Sequence, residues 1–435
     1  MFEGLEKICD VYMIETYAYD ETPKPVAPKP ADFVVVKPKN TVEVSEILRF
    51  ANDRKIPVFI RGGGTGLSGG AIPTRKGILL STEKMRNIEI DKRNRVAICQ
   101  AGVTLEELSR NAEKEGLSFP PRPGAESATV GGMIATNAGG VRALKFGVMR
   151  NYVLGMEVVL PDGRILNLGG KTLKSSSGYS LLHLMIGNEG TLGVITKAII
   201  RLLPPLRDMT MLAIPFKSVE NALNFAIETS LSFTPLAMEF MDKKAVEIGE
   251  TVSGKRWVSK EGNAHIIAIL ENREEAEKVA DIAYNHGAID IFVPSQREQK
   301  DLLELRGKIY FGLKDKIIEI LDVCIPPAEI AEFLRRSEEL ARKYGIELIT
   351  YGHLGDGNLH QHPLLFDGWE KSYPKFRKEI LKLGIEFGGV ISGEHGIGVL
   401  KKEELREFYP EQYNLMLEIK KIFDPNFILN PDKIF

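Results

Sequence analysis

Cysteine is scarce: Cys9, Cys99 and Cys324 are the only three in 435 residues, isolated from one another and odd in number. They read as reduced thiols rather than a disulfide framework. Three thiolates also fall short of the four that an iron–sulfur cluster ordinarily takes. No run approaches 18 apolar residues, so no transmembrane helix is read. Neither sign of charge predominates, with 57 Lys+Arg against 59 Asp+Glu and a net charge of −2. That balance gives no electrostatic footing for nucleic acid or anionic lipid. The opening residues MFEGLEKICDVYMIE are acidic, where a signal peptide has a basic region and then an apolar core. These absences lead to an expectation of a cytoplasmic chain, reaching a membrane only peripherally through a partner.

At this length two or three domains are expected. Thr22–Pro30 (TPKPVAPKP) reads as an extended linker, followed by a β-branched strand at Phe33–Lys37. Thr41–Asn52 has helical apolar spacing, with Thr41 read as its N-cap. Pro57–Ile60 and Gly77–Ser81 read as short strands and Gly193–Leu203 as a longer one. Ser218–Ser230, Arg273–His286 and Glu329–Tyr344 carry helical periodicity. The doublet Pro204-Pro205 marks the expected domain boundary, and the tail Asp424–Phe435 is expected to dock on the rest of the protein. No internal repeat or low-complexity stretch is visible.

Glycine is what the chain has in concentration. Three segments stand out: Arg61–Gly70 (RGGGTGLSGG), Pro120–Gly140 (PPRPGAESATVGGMIATNAGG) and Gly187–Thr196 (GNEGTLGVIT). Consecutive glycines reach positive φ and turn backbone N–H groups inward, a concave arrangement that suits a pyrophosphate. The first loop contains a formal G-x-G-x-x-G (Gly64, Gly66, Gly69). A Rossmann reading requires a helix to start inside that motif, yet the chain runs on through Ala71-Ile72-Pro73 into a strand pattern. So dense a set of small residues suits backbone lying against a flat ligand; a ligand-free glycine hairpin is the bland alternative.

These three segments, with GHLGDGNLH and GEHG near the C-terminus, resemble the FAD-linked D-2-hydroxy-acid oxidoreductases of the vanillyl-alcohol oxidase / para-cresol methylhydroxylase superfamily. The nearest groups are the glycolate oxidase D subunits and the flavin-dependent D-lactate dehydrogenases. The resemblance runs from about Val34 to Phe435. It implies an α+β fold: a two-subdomain FAD-binding domain of the para-cresol methylhydroxylase type at 1–205, and a substrate/cap domain at 206–410 with its site at 353–395. A segment at 411–435 would then return to the FAD domain. Carried over, Arg61, Gly62, Gly63, Gly64, Thr65, Gly66, Leu67, Ser68 and Gly69 would wrap the pyrophosphate. Pro123, Gly124, Thr129, Gly131, Gly132, Ala135, Thr136 and Asn137 would line the flavin and adenine diphosphate, and Gly190, Val194 and Ile195 would close over them. Some relatives attach the flavin covalently through a His in the first loop; Thr65 stands there, so non-covalent FAD is expected.

Four of the seven histidines (His353, His360, His362, His395) fall within 43 positions, beside Glu394. Two His and one carboxylate form a normal three-ligand set for Zn²⁺, Mn²⁺ or Fe²⁺ with positions left open. Such an ion suits a 2-hydroxy acid, whose hydroxyl and carboxylate oxygens can chelate it. The resemblance implies His353, His360 and Glu394 as ligands and His395 as base. Hydrogen-bonded turn histidines are the alternative; His362 is read as an outlying or surface residue and Asp356 as a turn former. Arg306 matches the place where relatives hold a substrate carboxylate, against the alternative of a solvated helix arginine. Some members have Lys two residues before the counterpart of Asp322. Here Ile320 stands at that position, which points to a short monocarboxylate.

The expected activity is FAD-dependent oxidation of D-lactate or glycolate to the 2-oxo acid, with electrons passed to a non-NAD acceptor. Expected partners are the hydroxy acid and an electron-accepting iron–sulfur or quinone-linked protein. Oligomeric state is left open, a homodimer among the options. Two rivals stand beside this reading: a metal-dependent hydrolase, which leaves the glycine loops unexplained, and a catalytically silent flavin-binding subunit, which would be expected to lack the histidine cluster.

Overall fold

The computed structural model describes residues 2–206 and 208–435. Its fold is α+β, built on three sheets. The first contains β1 (Val11–Tyr12), β2 (Phe33–Val36), β3 (Val58–Arg61) and β4 (Gly77–Ser81) in the order β1-β2-β4-β3. β4 runs parallel to both β2 and β3. The second is antiparallel: β5 (Ile88–Asp91), β6 (Val96–Gln100), β7 (Val153–Val159), β8 (Ile165–Gly169) and β9 (Val194–Arg201), ordered β5-β6-β9-β7-β8.

The third sheet is also antiparallel and carries the histidine cluster. It contains β10 (Thr210–Phe216), β11 (Ala237–Asp242), β12 (Ala264–Leu270), β13 (Leu321–Cys324), β14 (Leu348–His353) and β15 (Asn358–Pro363), in the order β10-β12-β11-β14-β15-β13. Helices Val219–Ser232, Arg273–Asn285, Ile330–Tyr344 and Trp369–Glu386 supply apolar side chains to the core on one of its faces. Helices Lys243–Ser253 and Gln296–Leu313 cover the other. With both faces covered, β10, β11 and β12 are mostly apolar rather than alternating, while the buried polar residues His353, Asn358, His360, Gln361 and His362 concentrate on β14 and β15.

Two local readings are corrected. The helix Thr41–Arg54 is capped by Asn40, whose side chain accepts from Glu43 N–H, because Thr41 already has helical geometry. The Pro/Lys segment is not a free linker. Thr22 is buried and its hydroxyl accepts from Gly69 N–H, which pins the segment onto the first glycine loop.

The C-terminal residues lie against β3: Leu429 bridges Val58, and Asn430 Oδ1 accepts from Ile60 N–H. Lys433 is buried and donates to the carbonyls of Gly69 and Ile72.

Candidate active site

The chain leaves β3 into residues 62–76, which contain no helix, so the Rossmann arrangement is absent. Among the described residues, none of the backbone N–H groups from Gly62 to Ser68 donates to another protein group. Such a row of free amides is an anion-binding nest. The loop presses against the second glycine segment with no room for side chains. A Cβ on Gly62 would fall 2.3 Å from Thr129 Oγ1, and one on Gly63 would fall 2.3 Å from the Ser127 carbonyl. Arg61, Gly62, Gly63, Thr104, Ser127 and Thr129, with Tyr17 and Arg86, line a cavity of about 430 Å³ there. Glu83 lines it too, its carboxylate paired with Lys37 at 2.8 Å, and the free amides with the nearby guanidinium groups of Arg61 and Arg86 fit the pyrophosphate end of FAD.

The remaining residues named for this ligand take several positions. Gly64 has φ 68°, with the Arg61 guanidinium folded over it. Ser68 points the other way, donating to the carbonyls of His395 and Gly396. Leu67 is partly buried and packs against the core that lies between the third sheet and the helices Lys243–Ser253 and Gln296–Leu313. Thr129 caps the helix Val130–Thr136, which holds Gly131 and Gly132, and Asn137 ends it in the left-handed region. The Ala135 carbonyl accepts from Glu189 N–H, while Gly190 packs on Asn430 and Ile60. Val194 and Ile195 are buried core residues of β9, so only their backbone is available to a ligand. Gly124 faces open space.

The third sheet assembles the polar cluster by register. Glu239 on β11 lies directly opposite His353 on β14, and Asp322 on β13 directly opposite His360 on β15. Such cross-strand partners share a face of the sheet, so each histidine meets a carboxylate. Glu239 Oε1 accepts from His353 Nδ1 at 2.6 Å. Asp322 stands 3.6 Å from His360 Nδ1 and 3.6 Å from His395 Nδ1. The opposite ring nitrogens converge: His353, His360 and His395 place Nε2 at 3.4, 3.2 and 3.6 Å from Glu394 Oε1. Two overlapping triads, His353/His360/Glu394 and Asp322/His360/His395, each offer atoms within 4.8 Å of one another.

The loop bearing Glu394 and His395 is held from two sides. Asp322 Oδ2 accepts from Glu394 N–H (3.1 Å), His395 N–H (2.8 Å) and Ser392 Oγ (3.0 Å). With three donors on that oxygen and Asn358 Nδ2 on the other, Asp322 is built as an anchor rather than a ligand. From the third glycine segment, Glu189 accepts from Ile397 and Gly398 N–H at 2.7 and 2.8 Å.

Charge follows from this crowding. Burial opposes ionisation of Glu394, yet His353 and His360 outweigh it and hold the carboxyl well below its usual range. Burial likewise opposes charge on His353, but Glu239 and Glu394 push it well above the ordinary imidazole value. Burial keeps His395 below that value against the pull of Asp322.

Arg306 is not a solvated helix residue. Its Nε and Nη2 sit 2.9 and 2.7 Å from Glu239 Oε2, and the guanidinium lies 4.7 Å from the Tyr351 ring centroid. Its Nη1 edge makes no contact with another carboxylate among the described residues. His362 is not at the surface: it is buried and stacked on Tyr351, with burial pushing its imidazole down to about 3. Asp356 accepts from Asn358 N–H within the turn between β14 and β15. Ile320 is buried.

The site residues that motif reading missed are Glu239, Asp322 and Glu189. The first two had a signal: a single carboxylate inside an apolar strand, in AMEFM and ILDVCI, requires a buried partner.

Residues 33–169 match the family described as FAD binding domain, and residues 206–434 match FAD linked oxidases, C-terminal domain. The chain is 63% identical over 435 residues to the D-lactate dehydrogenase of Archaeoglobus fulgidus, covering 99% of this chain and 98% of that protein. It is 36% identical over 438 residues to the glycolate oxidase subunit GlcD of Bacillus subtilis, covering 96% and 92%. Among solved structures, p-cresol methylhydroxylase with substrate bound aligns over 99% of this chain and 95% of that one. The TM-score is 0.80 at 16% identity, a likeness of fold.

Proposed function

This chain belongs to the FAD-linked oxidases, and we propose that it oxidises a small D-2-hydroxy acid, D-lactate or glycolate, to the 2-oxo acid. The observation that carries the proposal is the convergence of three histidine Nε2 atoms on Glu394 Oε1, on a loop tied to the first glycine segment through Ser68. Bound FAD supplies the two-electron acceptor for the substrate's α-hydrogen. On this reading His395 takes the hydroxyl proton at Nε2, and the Nη1 edge of Arg306 receives the substrate carboxylate. His353, His360 and Glu394 have the donor set for a divalent Zn, Mn or Fe ion, which would supply Lewis acidity at the hydroxyl oxygen.

Residues 1–205 and 411–435 form the FAD-binding unit in this proposal, with 206–410 as the substrate cap. Buried Ile320 offers no cation for a distal carboxylate, which favours a short monocarboxylate. No described helix is long and apolar enough to cross a membrane. Electrons would leave to an iron–sulfur or quinone-linked partner protein.

Dye-linked assays on the FAD-loaded protein across D- and L-2-hydroxy acids test the reading. Dye reduction with D-lactate or glycolate, abolished by chelation and restored by Zn²⁺ or Mn²⁺, is the expected result. Flavin bound without turnover of any acid would instead make the chain a silent subunit. Full activity after exhaustive chelation would remove the metal and leave His395 and Arg306 to act alone.

A further inference from the structure

Among the described residues, Glu239 is the carboxylate that touches both Arg306 and His353. It is buried at the centre of the third sheet, on β11 between β12 and β14. Oε1 accepts from His353 Nδ1 at 2.6 Å, while Oε2 accepts from Arg306 Nε at 2.9 Å with Nη2 at 2.7 Å. A buried carboxylate with every close partner a donor is a fixed element, because releasing either donor leaves charge uncompensated inside the sheet.

We propose that Glu239 is a positioning residue that couples the two: one carboxylate aims the guanidinium that grips the substrate carboxylate and orients the histidine that ligates the metal. Glu239 Oε1 holds the hydrogen on Nδ1 of His353, so Nε2 is the nitrogen turned toward Glu394 and the one that would release its proton to a metal. A carboxylate behind a ligating imidazole fixes its tautomer and raises its basicity. Facing Oε2, Arg306 has two of its donor groups occupied, which turns the Nη1 edge away from Glu239. Substrate grip and metal affinity therefore depend on the same side chain. This inference rests on the proposed roles of His353 and Arg306.

The test uses FAD-loaded protein stripped of metal, with Zn²⁺ affinity read by competition against a chromophoric chelator. KM for D-lactate or glycolate is then measured at saturating metal. In Glu239→Gln the amide can accept from only one of the two donors and turns its NH₂ on the other. Zn²⁺ affinity is expected to fall by roughly 10- to 100-fold and KM to rise together with it, at unchanged flavin absorbance. Weakened metal binding with an unchanged KM, or the reverse, would overturn the coupling, since Glu239 would then serve a single partner. Glu239→Asp keeps the buried charge, so it guards against a misfolded amide variant. One methylene shorter, it cannot span both donors, and wild-type values for both readouts would also overturn the proposal. Wild-type protein that binds no Zn²⁺ would remove His353 as a ligand, and the inference would fall together with the metal reading. Wild-type binding with an indifferent Glu239→Gln would sink the inference alone.

Discussion

Replacing Asp322 with Asn should cripple the loop that carries Glu394 and His395 while leaving the flavin cradle intact. The carboxylate is fully buried and accepts from Asn358 Nδ2, the N–H groups of Glu394 and His395, and the Ser392 hydroxyl, with Lys401 Nζ 3.5 Å away. Burial opposes its ionisation, but His395, Lys401 and His360 outweigh that and hold it far below the usual carboxylate range. An amide presents one acceptor and one donor group, so its NH₂ must face either Asn358 Nδ2 or the two loop N–H groups. Breaking a buried, hydrogen-bonded charge in this way costs about 3–5 kcal/mol. For a unit of this size that lowers the melting temperature of the third sheet by roughly 6–20 °C. A loop released by about 1 Å takes His395 out of line, a displacement worth on the order of 100-fold in turnover. Thermal melts followed by CD, together with dye-linked kcat on the FAD-loaded variant, read both effects. A melting temperature within about 2 °C of wild type and kcat within about threefold would refute the reasoning.

Arg306→Lys should lower kcat/KM by about 1.5–3 kcal/mol, the worth of a hydrogen bond to a charged group, or roughly 10- to 150-fold. A single ammonium cannot serve Glu239 and a substrate carboxylate with a fork, and unchanged kinetics would dismiss Arg306 from the site. Gly63→Ala should abolish FAD retention, because its Cβ would sit 2.3 Å from the Ser127 carbonyl; a yellow, fully loaded variant would show that the cradle lies elsewhere. His395→Ala should lose turnover yet keep its flavin spectrum and metal content. If it loses metal while His353→Ala keeps it, the roles of base and ligand are reversed. Flavin should leave the wild-type protein on mild denaturation, Thr65 offering no covalent attachment, and a flavin that stays with the chain would contradict this.

Glycine density pointed to a place where backbone packs too closely for side chains, and Gly62 and Gly63 indeed have no space for a Cβ whatever the ligand. Helices such as Ile330–Tyr344 and Arg273–Asn285 could be read from local periodicity, which needs no distant contact. Histidine spacing also drew attention to His353, His360 and His395, since their motifs are local phrases. What the sequence could not convey is how those phrases are aimed. Glu239 is 114 residues from His353, and Asp322 is 73 from His395. Each meets its partner only because antiparallel register sets β11 against β14 and β13 against β15, and because Asp322 then reaches across to the loop after Val390. Register is a cooperative property of the whole sheet, fixed by packing on both faces, and no residue carries it alone. The same applies to Glu189, a turn residue in its own phrase that becomes a clamp on Ile397 and Gly398 only when the glycine loops and the third sheet close together. Local chemistry thus chose the groups, and long-range packing decided which nitrogen each histidine presents.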